Sequence, residues 1–175
     1  MVKKNKAIFF DRDGTLIKTL VSKNNTPIAI KNYKQLRFEN NSKLVVERFQ
    51  KKYLIFIITN QPDVSRGKNL KKNVILINDI IKKKLKIDQV YTCYSDKEKN
   101  YMRKPNPGMI YKAQKKYKLN LSQSYVVGDR NKDILAGKKA KCKTVLINKK
   151  YNILSEIYPD FKIDNLKELL EIIKV

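Results

Sequence analysis

The stretch of sequence that decides the fold is residues 7–15, Ala-Ile-Phe-Phe-Asp-Arg-Asp-Gly-Thr. It begins with a short apolar run, which is typical of a strand buried on both faces of a sheet. Two carboxylates, Asp11 and Asp13, follow directly, and a glycine follows them. In open α/β sheets ligands bind beyond the carboxyl ends of the strands, so this acidic turn predicts a functional site.

Further apolar runs share this character, because they are rich in β-branched and aromatic residues. They are residues 53–58, 89–94, 124–127 and 144–147. The stretches beside and between them carry apolar residues at intervals of three and four, as on one face of a helix. These helical stretches are 44–49, 70–85, 109–117, 134–140 and 166–173. Strands that alternate with helices predict an α/β fold, namely a three-layer, doubly wound parallel sheet.

The composition limits the chemistry that the chain can carry out. Histidine is absent, which excludes Ser-His-Asp and Cys-His catalysis and any histidine-ligated metal. The two cysteines, Cys93 and Cys142, lie far apart in sequence, which suits a reducing compartment and argues against a disulfide scaffold. The apolar run before Asp11 is too short for a signal peptide core or a membrane span. We therefore expect a cytoplasmic monomer that does not bind membranes.

The formal net charge of +24 has two interpretations. Such a charge attracts anionic partners, such as phosphorylated metabolites, nucleic acid or a membrane surface. Compositional drift is the favoured explanation, because Lys, Asn and Ile are abundant throughout and the lysines are not gathered in one tract. The expected partner is a small phosphorylated metabolite, and nucleic acid is a less favoured alternative.

Polar residues at the ends of the apolar runs predict phosphoryl transfer. Those ends carry Asp11, Asp13, Thr59 and Asp129, and Lys104 lies in the loop after the third run. Mg²⁺ prefers oxygen ligands, which Asp11 and Asp129 supply. Asp11 is then placed to attack phosphorus, while Asp13 protonates the leaving oxygen and later activates water. Thr59 binds phosphoryl oxygens, and Lys104 neutralises charge in the pentacoordinate state.

The spacing of these residues limits the architecture. The intervals from Asp11 to Thr59 and from Thr59 to Lys104 are each filled by a predicted helix with a strand or loop. No room remains for a separate cap domain, and residues 18–37 suffice only for a small flap. Since no linker or composition shift interrupts the chain, residues 1–175 are expected to form one domain.

Four motifs together carry a resemblance to a known superfamily. They are Asp-Arg-Asp-Gly-Thr-Leu at 11–16, Ile-Thr-Asn-Gln at 58–61, Arg-Lys-Pro-Asn-Pro-Gly-Met at 103–109, and Gly-Asp at 128–129 with a later aspartate at 133. With these motifs in this order, roughly residues 7 to 148 resemble the haloacid dehalogenase superfamily. The third motif, and Arg66 with Gly67 after the second, are similar to its histidinol-phosphatase and heptose-bisphosphatase branch.

The resemblance implies a role for each matching residue in the reaction. Asp11 is implied to be the nucleophile and a magnesium ligand. Asp13 is implied to be the general acid and base, with its backbone carbonyl on the metal. Thr59 and Lys104 are implied to hold the transferring phosphoryl group, and Asp129 to bind the metal.

Further residues are implied to support the metal or to contact the substrate. Asp133 is implied to support the metal ion from behind its direct ligands. Arg103 and Arg130 are implied to meet the rest of the substrate, including a second phosphate. The complete set of predicted substrate-binding residues is Asn60, Gln61, Arg66, Arg103 and Arg130.

One region departs from the pattern of this branch. Many members carry a zinc loop, Cys-x-His and then Cys-x-Cys directly before the Arg-Lys-Pro string. Here the first pair of positions holds Cys93 and Ser95, and the second pair holds Asn100 and Met102. One ligand of four remains, so a structural zinc is not expected. The substrate is less firmly indicated, because this loop borders Arg103.

The leading hypothesis is a magnesium-dependent phosphatase that removes the 7-phosphate of a heptose 1,7-bisphosphate through an aspartyl-phosphate. Histidinol-phosphate phosphatase is an alternative from the same branch. A nucleic-acid 3′-phosphatase is a second alternative, which the charge and the open site favour. A nucleic-acid binding module on a degenerate scaffold is the non-enzymatic alternative, and the intact Asp11, Asp13, Lys104 and Asp129 speak against it.

Overall fold

The computed structural model describes residues 5–152 and 158–174. The strands in these ranges are β1 (Ala7–Phe10), β2 (Leu20–Val21), β3 (Pro27–Ile28), β4 (Leu54–Asn60), β5 (Gln89–Cys93), β6 (Tyr125–Gly128), β7 (Lys143–Ile147) and β8 (Phe161–Ile163). The α-helices are α1 (Ser42–Phe49), α2 (Lys71–Leu85), α3 (Gly108–Tyr117), α4 (Asn131–Lys139) and α5 (Leu169–Ile172). Single 3₁₀ turns lie at Tyr33–Gln35, Leu121–Gln123 and Leu166–Glu168.

Six of these strands form one parallel sheet in the order β5-β4-β1-β6-β7-β8. β1 lies in the middle and pairs with β4 on one side and β6 on the other. The chain winds outward from β1 through β4 to β5, and then in the opposite direction from β6 to β8. Loops that leave the carboxyl ends of β1 and β6 therefore diverge, and a crevice forms where the winding reverses.

Side chains of β1 alternate between two apolar cores, which accounts for the three layers. Ile8 and Phe10 pack in a core that also holds residues of α1, α2 and α5. Ala7 and Phe9 pack on the other face of the sheet with residues of α3 and α4. All four side chains are fully buried, so every residue of β1 is apolar, and β1 lacks the alternation of apolar and polar residues that marks a half-exposed strand. The predicted three-layer, doubly wound parallel sheet is confirmed.

The predicted apolar runs all contain strands, whereas β8 was missed. β8 is only three residues long, and two of them are exposed, so it carries no apolar run. The predicted C-terminal helix over 166–173 is shorter than expected, because Leu166–Glu168 form a 3₁₀ turn and α5 spans Leu169–Ile172.

The segment over residues 18–37 forms the predicted small flap. β2 and β3 pair antiparallel in a two-stranded hairpin, and a 3₁₀ turn follows them. In residues 5–152 and 158–174 this hairpin is the only sheet besides the central one, and no separate cap domain is present. Helices in the same ranges lack either the length or the apolar character needed to cross a lipid bilayer.

Candidate active site

Loops that follow four strands of the sheet meet in one cleft at its carboxyl edge. Asp11 and Asp13 follow β1, Thr59 lies at the end of β4, and the loop after β5 brings in Lys104. α4 begins just after β6 and contributes Asp133. The remaining lining residues are Ala29 of the flap, Asn60, Pro62, Arg103, Arg130 and Lys132. The four sequence motifs therefore converge, as their positions at strand ends predict.

Lys104 lies between two carboxylates at the bottom of the cleft. Its Nζ donates to Asp11 Oδ1 at 2.6 Å, to Asp133 Oδ1 at 2.5 Å and to the Ile58 carbonyl at 2.8 Å. Burial alone would lower the pKa of Lys104, but the charges and hydrogen bonds of Asp11 and Asp133 outweigh it and raise that pKa. Lys104 is therefore a fixed cation that orients the Asp11 carboxylate.

Three buried carboxylates form a group suited to a metal ion. Asp11, Asp129 and Asp133 each present a carboxylate oxygen within 4.8 Å of the others. Burial, and then the charges of Asp11 and Asp133, raise the pKa of Asp129 to about 8. Burial also raises the pKa of Asp133 to about 6, although Lys104 opposes this shift. A cation would relieve the repulsion that both shifts record.

The hydrogen bonding of Asp129 supports the same conclusion. Its Oδ2 accepts a 2.6 Å hydrogen bond from the Tyr151 hydroxyl. Its Oδ1 is buried and has no hydrogen-bond partner in the part of the chain that the structure describes. An unpaired buried carboxylate oxygen is costly, and a hard divalent cation is the partner that it suits. The residues present therefore fit a magnesium ion.

Asp13 has different surroundings, since its carboxylate is already paired within the protein. Arg12 donates from Nε to Asp13 Oδ2 at 2.9 Å and from a terminal nitrogen to Oδ1 at 3.2 Å. Gln61 Nε2 donates to Asp13 Oδ2 at 2.8 Å and to Thr59 Oγ1 at 2.9 Å. The side chain of Asp13 is outside the close carboxylate group, so its predicted part in metal binding rests on its backbone carbonyl alone.

A glycine is required at position 14 by close packing against Asp129 and Tyr151. Its φ of +84° lies in the left-handed region, and a Cβ atom there would come within 2.4 Å of both Asp129 Oδ2 and the Tyr151 hydroxyl. The Gly14 amide donates to the Ile17 carbonyl at 2.7 Å and is thus engaged in the turn. Gly14 is the glycine of the acidic turn that follows β1, and the structure shows a steric requirement for glycine at this position.

The predicted substrate-binding residues fall into two groups. Asn60 and Gln61 act within the protein: the Asn60 side chain bonds the backbone nitrogen of Lys104 at 3.1 Å and its carbonyl at 2.9 Å, and Gln61 bridges Thr59 and Asp13. Asn60 therefore fixes the loop that carries Lys104. Gln61 is 2% exposed, so its role in substrate binding remains a prediction that its present contacts do not favour.

The three predicted arginines surround the mouth of the cleft. Arg103 and Arg130 line it together with Lys132, and Arg66 lines an adjoining cleft that shares Arg130. Arg103 donates to the Ser95 carbonyl at 2.9 Å, and its Nε has no partner among the described residues. Arg66 lies 3.6 Å from Asp96 in an exposed ion pair. These cations create a positive rim suited to an anionic substrate.

The loop at the former zinc positions is held by hydrogen bonds. Asn100 Oδ1 accepts from the Met102 amide at 2.9 Å, and the Cys93 thiol lies 3.8 Å from the same oxygen. Asn106 Nδ2 donates to the carbonyls of Glu98 and Asn100, each at 3.0 Å. These contacts order the loop that carries Arg103 next to the cleft.

Sequence reasoning missed three residues that contact the site. Tyr151 binds Asp129, Arg12 binds Asp13, and Asn78 of α2 binds Arg12 at 2.9 Å. Arg12 stands inside the first motif, but an arginine in a loop gives no sign that it is buried. Asn78 interrupts the apolar face of α2, and that interruption is the one signal that was available.

Comparison with known proteins places this geometry in a family. The family model described as polynucleotide kinase 3 phosphatase matches residues 6–158. A relative from Photorhabdus laumondii, named D-glycero-alpha-D-manno-heptose-1,7-bisphosphate 7-phosphatase, is 36% identical over 155 residues, which cover 78% of this chain and 79% of the relative. A relative from Helicobacter pylori J99, named for the corresponding beta-heptose phosphatase, is 29% identical over 99% of this chain and 100% of its own.

A solved structure shares the fold. The D,D-heptose 1,7-bisphosphate phosphatase of B. bronchiseptica, crystallised with magnesium and phosphate, matches with a TM-score of 0.78 at 22% identity, covering 96% of this chain and 99% of the other. The sequence match, the fold and the four converging motifs agree, and this chain belongs to the polynucleotide kinase 3 phosphatase family within the haloacid dehalogenase superfamily.

Proposed function

We propose that this protein is a magnesium-dependent phosphatase that hydrolyses phosphomonoesters through an aspartyl-phosphate on Asp11. The observation that carries the proposal is the position of Asp11 at the cleft, with Oδ1 held 2.6 Å from Lys104 inside a group of three buried carboxylates. A carboxylate that is fixed and partly neutralised by a lysine is well placed to attack phosphorus.

The first step forms a bond between Asp11 and phosphorus and breaks the bond between phosphorus and the ester oxygen. Asp13 gives its proton to that leaving oxygen. In the second step Asp13 takes a proton from water, the water oxygen bonds to phosphorus, and the aspartyl-phosphate bond breaks. Thr59 and Lys104 hold the phosphoryl oxygens during both steps, and both line the cleft beside Asp11.

Magnesium would be held by the carboxylates of Asp11 and Asp129 and by the backbone carbonyl of Asp13, with Asp133 supporting the site. When bound, it neutralises the charge that otherwise keeps an anionic nucleophile away from a phosphate ester. Lys104 contributes on the other side, since it bonds Asp11 and Asp133 simultaneously and so fixes the nucleophile before substrate arrives.

The proposed substrate is D-glycero-D-manno-heptose 1,7-bisphosphate, from which the 7-phosphate is removed. Two observations support it: similar relatives carry that activity in their names, and Arg103, Arg130 and Lys132 line the cleft, where they can bind a second phosphate. The relatives' names include both the alpha and the beta anomer, so both anomers belong in the test.

Phosphate release from a panel of substrates tests this proposal. The panel contains both anomers of the heptose bisphosphate, histidinol phosphate, nucleotides and a 3′-phosphorylated oligonucleotide, each with magnesium and with a chelator. We expect magnesium-dependent release, with the highest kcat/KM for a heptose bisphosphate. Asp11→Asn should lose turnover and keep the fold. Full activity of that variant would contradict the nucleophile assignment.

A nucleic-acid 3′-phosphatase is the second candidate, favoured by the net charge of +24 and by the description of the matching family model. Its activity on a phosphorylated oligonucleotide should fall steeply as salt rises, because phosphate contacts release counterions. Absence of turnover at low salt would remove this candidate. We further propose a cytoplasmic monomer, and light scattering of the purified protein tests the monomeric state.

A further inference from the structure

A series of hydrogen-bonded polar side chains, of which Arg12 and Asn78 are buried and Thr92 is half-buried, leads from Asp13 away from the cleft. Its first member is Arg12, the largest fully buried side chain of the described residues. Two of the Arg12 nitrogens face Asp13, and the third, a terminal nitrogen, donates to Asn78 Oδ1 at 2.9 Å. Asn78 Nδ2 donates in turn to Thr92 Oγ1 at 3.0 Å. This series of hydrogen bonds thus connects the loop after β1 with α2 and β5.

Asn78 occupies a position where packing alone calls for an apolar residue. It lies on the face of α2 that also buries Val74, Ile77, Ile81 and Leu85, and it is 7% exposed. A buried amide there is costly unless both its oxygen and its nitrogen are bonded. Both are bonded, the oxygen to Arg12 and the nitrogen to Thr92. Asn78 therefore binds Arg12 and Thr92 at a position where an apolar side chain would pack against its apolar neighbours.

The geometry lets Asn78 control how Arg12 meets the carboxylate. A guanidinium is a rigid planar group, so a hydrogen bond to one terminal nitrogen restricts the rotation of all three nitrogens together. Those two nitrogens contact both oxygens of Asp13. Gln61 holds Oδ2 as a second donor at 2.8 Å, so Asp13 keeps one orientation toward the cleft. Loss of Asn78 would free Arg12 to rotate and to take Asp13 with it.

We propose that Asn78 and Thr92 are positioning residues for proton transfer by Asp13, acting through the buried Arg12. The inference rests on the proposed phosphatase function. Neither residue touches the substrate, since neither lines the cleft with Asp11. They keep the Asp13 carboxyl where it can hand its proton to the leaving oxygen as the bond from that oxygen to phosphorus breaks.

The test uses two substrates that differ in their need for that proton. An alkyl phosphate releases an alkoxide, which must be protonated as it leaves, whereas p-nitrophenyl phosphate releases a stable anion that needs little help. kcat/KM is the quantity to compare, because it reports only the steps up to formation of the aspartyl-phosphate. The alkyl substrate is the best primary alkyl phosphate that the unaltered protein turns over.

Asn78→Ala should reduce kcat/KM for the alkyl phosphate about tenfold or more and change it less than about threefold for p-nitrophenyl phosphate, since general acid catalysis contributes about 10²–10⁴ in rate. Thr92→Val removes only the outer hydroxyl and should give a smaller change of the same kind. Ile77→Val, on the same helix and without a polar contact, is the control that lowers stability and leaves the ratio of the two substrates unchanged.

Several outcomes separate this inference from a structural role. Equal losses on both substrates in Asn78→Ala would overturn it, because a loosened fold affects both reactions alike. If Asn78→Ala does not fold, Thr92→Val decides: a larger loss on the alkyl phosphate supports the inference, and an unchanged ratio overturns it. Absence of turnover by the unaltered protein would instead overturn the proposed function itself.

Discussion

Two regions of the active site treat a buried carboxylate in opposite ways. Asp13 is bonded by Arg12 and Gln61, so its oxygens are paired by the protein itself. Asp129 has one oxygen bonded by Tyr151 and one left without a partner among the described residues. In the first region the protein itself supplies partners for both carboxylate oxygens, whereas the second region leaves an oxygen that suits a cation.

The difference accounts for the two roles that we propose for one residue type in this cleft. A carboxylate that must give and take a proton needs a fixed orientation, which hydrogen bonds from the protein supply. A carboxylate that binds a metal needs free lone pairs and tolerates repulsion until the metal arrives, as the raised pKa of Asp129 records.

Lys104→Met should have the largest effect, because it removes the cation between Asp11 and Asp133. Without magnesium, the free energy of unfolding should fall by about 3–5 kcal/mol, as when a buried ion pair loses one partner. Phosphatase activity should be lost as well. Urea denaturation with and without magnesium measures the first effect. Lys132→Met is the matched control, since this cleft lysine is 46% exposed and should cost less than about 0.5 kcal/mol.

Asp129→Asn and Asp13→Asn should separate the two regions directly. Asp129→Asn should weaken magnesium binding about 100-fold or more, since it removes a charged ligand, and loss of a residue that only orients a ligand already costs about 10–100-fold. Asp13→Asn should leave magnesium binding within about threefold, because only its backbone carbonyl is assigned to the metal, and should still abolish turnover of alkyl phosphates. Titration calorimetry measures the binding. Similar losses of affinity in both variants would break the comparison.

Magnesium binding should depend on pH through Asp129. Its pKa of about 8 lies above the unfolded value of 3.8, so between these values the folded, metal-free protein binds a proton that the unfolded chain does not. The stability of the metal-free protein should therefore fall as pH rises from about 4 to 8. Because magnesium must displace that proton, the dissociation constant of magnesium should decrease about tenfold for each unit by which the pH rises toward 8.

Calorimetry between pH 6 and pH 9 checks this prediction. The dissociation constant of magnesium should stop changing above about pH 8, where Asp129 has already lost its proton. Thermal unfolding of metal-free Asp129→Asn provides the control, since it should lose less stability over the same range. An affinity that does not change with pH would contradict the assignment of Asp129 as a protonated ligand.

The sheet and the polar residues at the ends of its strands could be predicted from the sequence. A strand buried on both faces is a continuous apolar run, and the first polar residue after the run marks its end. Asp11 and Asp129 directly follow strands that are buried on both faces, and Thr59 lies near the end of a third, so an apolar run precedes each of them. Parallel strands bring their carboxyl ends to one edge, so the convergence of these residues followed from topology. Lys104 was found through its motif, since one lysine among many has no signal of its own.

The supporting contacts were beyond prediction, because they depend on packing between distant elements. Tyr151 lies 22 residues after Asp129, and Asn78 lies 66 residues after Arg12. No spacing rule connects such pairs, since each depends on how a loop or helix settles on the sheet. A polar residue in an apolar helical face, as at Asn78, is the general signal that a buried partner exists.

Tyr151→Phe should have the smallest effect and the most specific one. It removes the hydroxyl that bonds Asp129 Oδ2 at 2.6 Å and leaves the ring in place. Partners that orient a metal ligand typically change affinity 10–100-fold, and we expect about tenfold weaker magnesium binding, since Asp129 itself is retained.

The magnesium affinity of Tyr151→Phe distinguishes orientation from competition. If the Tyr151 hydroxyl orients Asp129, its removal weakens binding, as expected here. If the hydroxyl instead occupies a position that the metal must take, removal strengthens binding. Tyr158→Phe, at a residue that is 73% exposed, controls for loss of a tyrosine hydroxyl near the same segment. Stronger binding in Tyr151→Phe would mean that both oxygens of Asp129 bind the cation. The hydrogen bond from Tyr151 would then occupy a metal-binding position, and the contrast with the fully paired Asp13 would become larger.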